Sequence, residues 1–284
     1  MKKLFAVLLV VAMVFSLAAC GGSNGMIMGT GSPTGTYYAY GGILCRYIQN
    51  NSDISARPVS TGGSKDNIQG VDIGDYQLGT VQSDVMDYAW NGTRSFESEG
   101  KIESFRVVAG LYAEAVQLVT MNPDIKSVAD LKGKSVSIGA PGSGVYFNSI
   151  DILSAAGLSE KDIKPQYQNF DESADALKDG KIDAAFIVAG APTPAITELC
   201  MTNSKARIVP IDGDVAEKLM KDNSFYSVYK IPANTYANQN EDVLTVTVKA
   251  TLIVSASATE GLSVPFHAGA AKYFKEKGIE VATK

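Results

Sequence analysis

The sequence predicts an α/β protein built from two lobes, each a mainly parallel sheet flanked by helices. Short β-branched runs alternate with amphipathic stretches of helical period, the pattern of successive βα units. Several of these runs end in Gly, Ser and Thr immediately ahead of a helical stretch. The chain of 284 residues is 45% hydrophobic and 19% charged, enough apolar material for one or two sizeable cores and too much for a disordered chain. The net charge of −5 and the lack of a basic run argue against a nucleic-acid partner. No short repeat or low-complexity tract is present.

The elements follow in order. Lys2 and Lys3 form a basic start, residues 4–15 are apolar, and Leu17-Ala18-Ala19-Cys20 ends the segment with small residues, so 1–19 reads as a signal peptide and Cys20 as its lipidation site. Two or three acyl chains there would anchor the mature protein on the extracytoplasmic side of the cell membrane. Residues 20–25 make a short tether. No other stretch is long and apolar enough to span a bilayer.

Strands are expected over 26–29, 54–59, 77–81, 106–110, 115–120, 135–139, 164–167, 184–188 and 207–210, and helices over 36–50, 65–73, 84–90, 145–156, 172–179 and 194–201. The last helix has Thr193 as N-cap and Pro194 at its first position. Residues 243–254, rich in Val, Thr and Leu, read as strand with a break near Lys249-Ala250. Cys45 and Cys200 lie in apolar helical patterns, which favours free core thiols over a disulfide.

Four Gly-rich segments, 29–38, 60–64, 139–144 and 189–193, join a strand end to a helix start. A tight βα turn explains any one of them. Four together describe a binding crevice, because ligands of open α/β sheets sit at strand C-termini, where helix N-termini offer unpaired N–H groups and a partial positive charge. Such loops can hold a carboxylate without Lys or Arg. The two early segments and the two later ones would line the crevice from opposite lobes.

Enzyme motifs fail on their spacing. The first segment is one residue too long for a dinucleotide fingerprint, and Val128 stands where a P-loop ending at Gly133-Lys134-Ser135 needs Gly. Ser227-Val228-Tyr229-Lys230 fits S-x-x-K but lies in an alternating, strand-like run without its companion motifs. His267 is the sole histidine and no Cys/His cluster exists, so neither a metal site nor a cofactor is expected.

At these loops the sequence resembles the TAXI family, the TRAP-associated extracytoplasmic solute receptors. The matching runs include 28–31 with 35–38, Thr61-Gly62-Gly63-Ser64 with Asn67, 78–79 with 81–85, Leu111-Tyr112-Ala113-Glu114, 127–134, 139–144, 174–184, 188–194 and 265–270, nearly the whole mature chain. The resemblance implies a type II periplasmic-binding-protein-like fold in which the chain crosses between lobes twice, with 26–109 and 207–284 forming one lobe and 110–206 the other. It implies a TRAP-type permease as membrane partner and glutamate, glutamine or 2-oxoglutarate as ligand. The lining it implies is Tyr37, Tyr38, Thr61, Gly62, Ser64 and Gln82 from one lobe, with Glu114, Gly142, Ser143, Gly144 and Gly190 from the other.

The chain departs from the family pattern at Val145, where many members carry a hydroxyl, and at 258–261, where a helical stretch normally intervenes. The expected function is thus a solute receptor and not an enzyme. A lipid-anchored ligand sensor that feeds a signalling partner is the alternative from another class.

Overall fold

The computed structural model describes residues 25–259. The signal peptide, Cys20, most of the tether, His267 and the junction at Glu260-Gly261 lie outside the described residues. Among the described residues ten strands form one sheet: β1 (Gly25–Gly29), β2 (Ser55–Val59), β3 (Leu78–Gln82), β4 (Phe105–Thr120), β5 (Ser135–Ser137), β6 (Lys164–Gln166), β7 (Ala184–Ala189), β8 (Arg207–Val209), β9 (Ser227–Ile231) and β10 (Val243–Ser255). Seven α-helices accompany them among the described residues: α1 (Thr36–Asn51), α2 (Ser64–Asp72), α3 (Ser83–Asn91), α4 (Gly144–Ala155), α5 (Phe170–Lys178), α6 (Pro194–Thr202) and α7 (Gly213–Asp222).

The sheet order is β2-β1-β3-β10-β4-β7-β5-β6, with β8 beside β4 and β9 beside β10. The βα units pair in parallel, β1 with β2 and β3, and β5 with β6 and β7, whereas β4 and β10 are antiparallel to each other and to their neighbours. These two strands are the spine. Residues 250–254 of β10 lie on β3, while its residues 243–247 lie on β9. Residues 115–120 of β4 lie on β7 and 118–120 also on β8. The molecule therefore has two halves that share two long strands. The irregularity between Lys249 and Thr251 falls where the break in β10 was expected.

Each half has a core on both sheet faces. In the first, α1 covers one face through Cys45 against Met28, Ala56, Leu78 and Leu252, and α2 and α3 cover the other through Ile68, Val71, Val85 and Ala89 against Val81, Phe105 and Ile253. In the second, α4 and α7 pack Ile152, Leu153, Ala216 and Leu219 on Val116, Val136, Phe186 and Val209. Opposite them α5 and α6 pack Leu177, Ile196, Leu199 and Cys200 on Val119, Ala185 and Ile187. Cys45 and Cys200 are both free and buried.

Three expectations are corrected. Residues 106–110 and 115–120 form one continuous strand, because β10 pairs with it between Phe105 and Ala115 and so bridges the expected gap. Residues 207–247 pair and pack mainly with the second half, since β8 and β9 attach to the second-half ends of β4 and β10 and α7 sits in that core, while Phe225 reaches Tyr88 of the first half. Helix α7 was not expected, although Val215, Ala216, Leu219 and Met220 follow a helical stripe. The S-x-x-K tetrad lies within β9, as its alternation indicated.

Candidate functional site

The loops between strand ends and helix starts meet across the two halves. In the first, Gly35 precedes α1 and its N–H donates to the Ser32 carbonyl at 2.9 Å. In the second, Gly63 adopts φ 117° and ψ −146°, a conformation open essentially to glycine alone, and a Cβ there would lie 3.3 Å from the Ser143 Cα. Asn67 in α2 is fully buried and ties the loops together, its amide donating to the carbonyls of Thr30 at 2.6 Å and Thr80 at 2.7 Å. Its role is structural.

The third loop turns on Gly139 and Gly142, with φ of 95° and 78°. Ser143 caps α4, accepting from the Tyr146 N–H at 3.4 Å while its hydroxyl donates to the Ala140 carbonyl at 2.6 Å. The halves touch here. The Lys65 N–H donates to the Gly142 carbonyl at 3.0 Å, and Gln82 lies so close to Gly144 that a Cβ at 144 would sit 1.8 Å from Gln82 Oε1. On the far side of the cleft mouth, the Ser32 and Thr34 hydroxyls donate to the Asp171 carboxylate at 2.7 and 2.5 Å. Deeper, a polar network joins Asp84 to Asn148 at 2.9 Å, Asn148 to Tyr226 at 2.7 Å, Tyr226 to Asp151 at 3.1 Å and Asp151 to Arg94 at 2.6 Å.

Between these contacts lies a cavity of about 50 Å³, room for several waters or one small ligand on a measure where a single water needs about 10–15 Å³. Of the expected residues, Tyr37, Thr61, Gly62, Ser64, Gln82, Glu114, Ser143 and Gly144 line it. Tyr38, Gly142 and Gly190 do not. Tyr38 follows Tyr37 on α1 and so points about 100° away. The Gly142 carbonyl is taken by Lys65, and the Gly190 carbonyl accepts from the Thr36 and Thr193 hydroxyls, each at 3.0 Å. The segment at 189–193 thus contributes only Ala189 to the lining. Thr193 does stand at the N-cap of α6, but its hydroxyl serves Gly190 and Gln117 instead of the helix.

A different helix start takes its place. Gln168, Asn169 and Phe170 line the cavity at the beginning of α5. Asn169 accepts from the Glu172 N–H, and Glu172 from the Asn169 N–H, both at 2.9 Å. This N-x-x-E capping box is the sequence signal for that helix start. Ser32, Thr36, Val145 and Val188 are further lining residues; Val145 presents a side chain with no donor at the start of α4.

The electrostatics of the cavity are unusual. Four helices, α1, α2, α4 and α5, point their N-termini at it, and no Lys, Arg or His is among its lining residues. Two side chains in it are not saturated or neutral by default. Gln82 Oε1 is buried without a hydrogen-bond partner. Glu114 is 1% exposed and accepts from the Tyr37 hydroxyl at 2.6 Å. Burial pushes the Glu114 carboxyl up to about 8; the Tyr37 hydrogen bond opposes this and the nearby Asp84 adds to it. Burial, with the Glu114 charge beside it, also raises the Tyr37 hydroxyl well above its ordinary value. Among the described residues no group of three or more His, Cys, Asp or Glu side chains is placed to hold a metal ion, and no helix is long and apolar enough to cross a membrane.

A family model described as the NMT1-like family matches residues 28–262. Among solved structures, the periplasmic aliphatic sulphonate binding protein of Escherichia coli superposes with a TM-score of 0.51 at 19% identity, over 89% of this chain and 66% of that one. The chain therefore spans just under two thirds of that protein's length. The alkanesulfonate-binding protein of Xanthomonas axonopodis pv. citri, bound to MOPS, gives 0.52 at 17% identity over 90% of this chain and 70% of that one. An ancestral arginine-binding protein bound to arginine gives 0.53 at 15% identity over 90% and 94%. At these identities the likeness establishes the fold: a periplasmic-binding-protein-like α/β architecture.

Proposed function

This chain belongs to the NMT1-like family, and from that premise we propose that it is an extracytoplasmic solute-binding receptor of a membrane transporter, holding a small carboxylate between its two halves. One observation carries the reading. Helix N-termini from both halves converge on a single cavity whose polar lining is N–H groups, hydroxyls, amides and the Glu114 carboxyl, without a side-chain cation. Each helix start offers unsatisfied N–H donors and a partial positive charge of roughly half a unit, a setting that favours a small anion. The structural neighbours named for sulphonate and arginine share the architecture and support a receptor role. No covalent chemistry is needed in such a site.

The finer form of the reading rests on the sequence resemblance. The carboxylate is glutamate, glutamine or 2-oxoglutarate and the membrane partner is a TRAP-type permease, while the leader ending at Leu17-Ala18-Ala19-Cys20 is the ground for a lipid anchor on Cys20 at the cell membrane. Glu114 separates these ligands, because a buried carboxylate tolerates an amino group far better than a second anion. The direct test is a thermal-shift series on the mature domain with all three ligands. At a concentration about a hundred times the dissociation constant, binding adds roughly 2.7 kcal/mol to stability. No shift with any of them removes the carboxylate reading. Release of a Cys20→Ala protein from membranes tests the anchor separately.

A further inference from the structure

The four helix ends around the cavity can balance one anionic group on the ligand, but they leave a second charge problem inside the protein. Glu114 is buried, lines the cavity, and has one hydrogen-bond partner, the Tyr37 hydroxyl. Of the titratable groups facing it, only the Tyr37 hydroxyl favours its ionised form, and none brings a positive charge. Tyr37 approaches from α1, Tyr112 lies two residues earlier on β4, and Asp84 stands at the start of α3. On β10, Val248 is opposite Glu114, and the aliphatic stem of the next residue, Lys249, runs toward Gly110. Two cations of the same half are engaged elsewhere, Lys65 with Glu99 at 2.6 Å and Arg94 with Asp151 at 2.6 Å. A buried carboxylate without a cation is costly, and an anionic ligand placed beside it raises that cost.

We propose that Glu114 is a specificity-determining residue: the cavity accepts an anionic ligand only when a positive charge comes with it, either an ammonium group of that ligand or a proton taken up on the Glu114 carboxylate. The proposal rests on the carboxylate reading of the cavity and assigns it two ligand classes with opposite proton linkage. An amino acid needs Glu114 ionised to face its ammonium group, so binding releases a proton wherever the free protein holds one. A keto acid needs Glu114 protonated, so binding takes a proton up wherever the free protein has lost it. Free Glu114 loses its proton near pH 8. Affinity for the amino acid therefore climbs with pH up to about 8 and then levels, while affinity for the keto acid is level below about 8 and falls above it, each by about tenfold per pH unit for one linked proton.

The experiment is calorimetry of glutamate and of 2-oxoglutarate on the mature protein from pH 6.5 to 9, in phosphate and in Tris, whose different ionisation heats count the protons exchanged. Either ligand alone suffices, because each has its own expected sign. Glu114→Gln should remove both slopes, weakening glutamate and sparing 2-oxoglutarate. Tyr37→Phe, which deletes the hydrogen bond to the ionised form, should move the break to higher pH. Flat affinities for a ligand that binds, or slopes that survive Glu114→Gln, overturn the proposal and leave the carboxylate reading standing. If neither ligand binds or shifts the melt, the carboxylate reading falls, and the proposal with it.

Discussion

At the scale of single residues, two buried carboxyls tie stability to pH. Burial raises Glu114 to about 8 from 4.5, and burial, opposed by the Asn148 hydrogen bond, raises Asp84 to about 6 from 3.8. In both windows the folded protein retains a proton that the unfolded chain has given up, so stability is greatest below the window and declines as pH rises through it. Urea denaturation from pH 5 to 9 should show this decline in the ligand-free protein. Glu114→Gln should flatten it, and Asp84→Asn should alter only the portion below about pH 6. The serines separate binding from folding. Ser64 Oγ accepts from the Gln82 N–H at 3.0 Å and its hydroxyl faces Tyr37 in the cavity both line, where a ligand can take over its proton. A hydrogen bond to a charged ligand group is worth about 1.5–3 kcal/mol, so Ser64→Ala should weaken binding roughly ten- to a hundred-fold in calorimetry. The Ser143 hydroxyl is committed to Ala140 and to the α4 cap, so Ser143→Ala should cost about 1 kcal/mol in a melt as well as any loss of affinity.

At the scale of elements, α4 joins a core and a site. Its Ile152 and Leu153 are fully buried against the sheet, while Asn148 and Asp151 reach the network that spans the halves. Ile152→Ala should lower unfolding free energy by about 2–5 kcal/mol, read from the denaturation midpoint, and leave ligand selectivity intact. The same helix shows what could be read from sequence. Gly142-Ser143-Gly144 ahead of an apolar stripe marked its start, as Thr61-Gly62-Gly63-Ser64 marked α2, because caps and turns are local chemistry. Strand β4 was legible only in pieces: residues 107–110 are exposed and 111–113 half-buried, so no apolar period runs through them, and continuity comes from pairing with β10, distant in sequence. The cavity followed the same division. Its glycine loops are local turn chemistry and Glu114 comes from the family resemblance, whereas the α5 start is marked only by the N-x-x-E box, which carries no glycine. Contacts such as Ser32 with Asp171, or Gln82 with Gly144, join halves that no local pattern relates.

At the scale of the molecule, the question is how two halves hinged on β4 and β10 come to enclose a ligand. Closure is a set of small cross-half contacts, so one methyl group in the wrong place should oppose it. At Gly62 a Cβ would meet two obstacles. One is the Asp66 carboxylate at 2.4 Å, the movable end of a side chain in the same half; the other is the Pro141 carbonyl oxygen at 2.8 Å, fixed backbone of the opposite half. The first can swing aside, but the second yields only if the halves separate. Gly62→Ala should therefore fold normally, show a larger radius of gyration in small-angle scattering, and bind more weakly in proportion to the closed population it has lost, about tenfold for each 1.4 kcal/mol by which opening is favoured. Gly42→Ala supplies the contrast. It lies in α1 with nothing within 4 Å of the added carbon, and replacing a helical glycine there should add roughly 0.5–1 kcal/mol of stability without opening the molecule. A Gly62→Ala protein as compact and as tight-binding as Gly42→Ala would mean that ligand is held without the approach of loop 60–64 to loop 139–144.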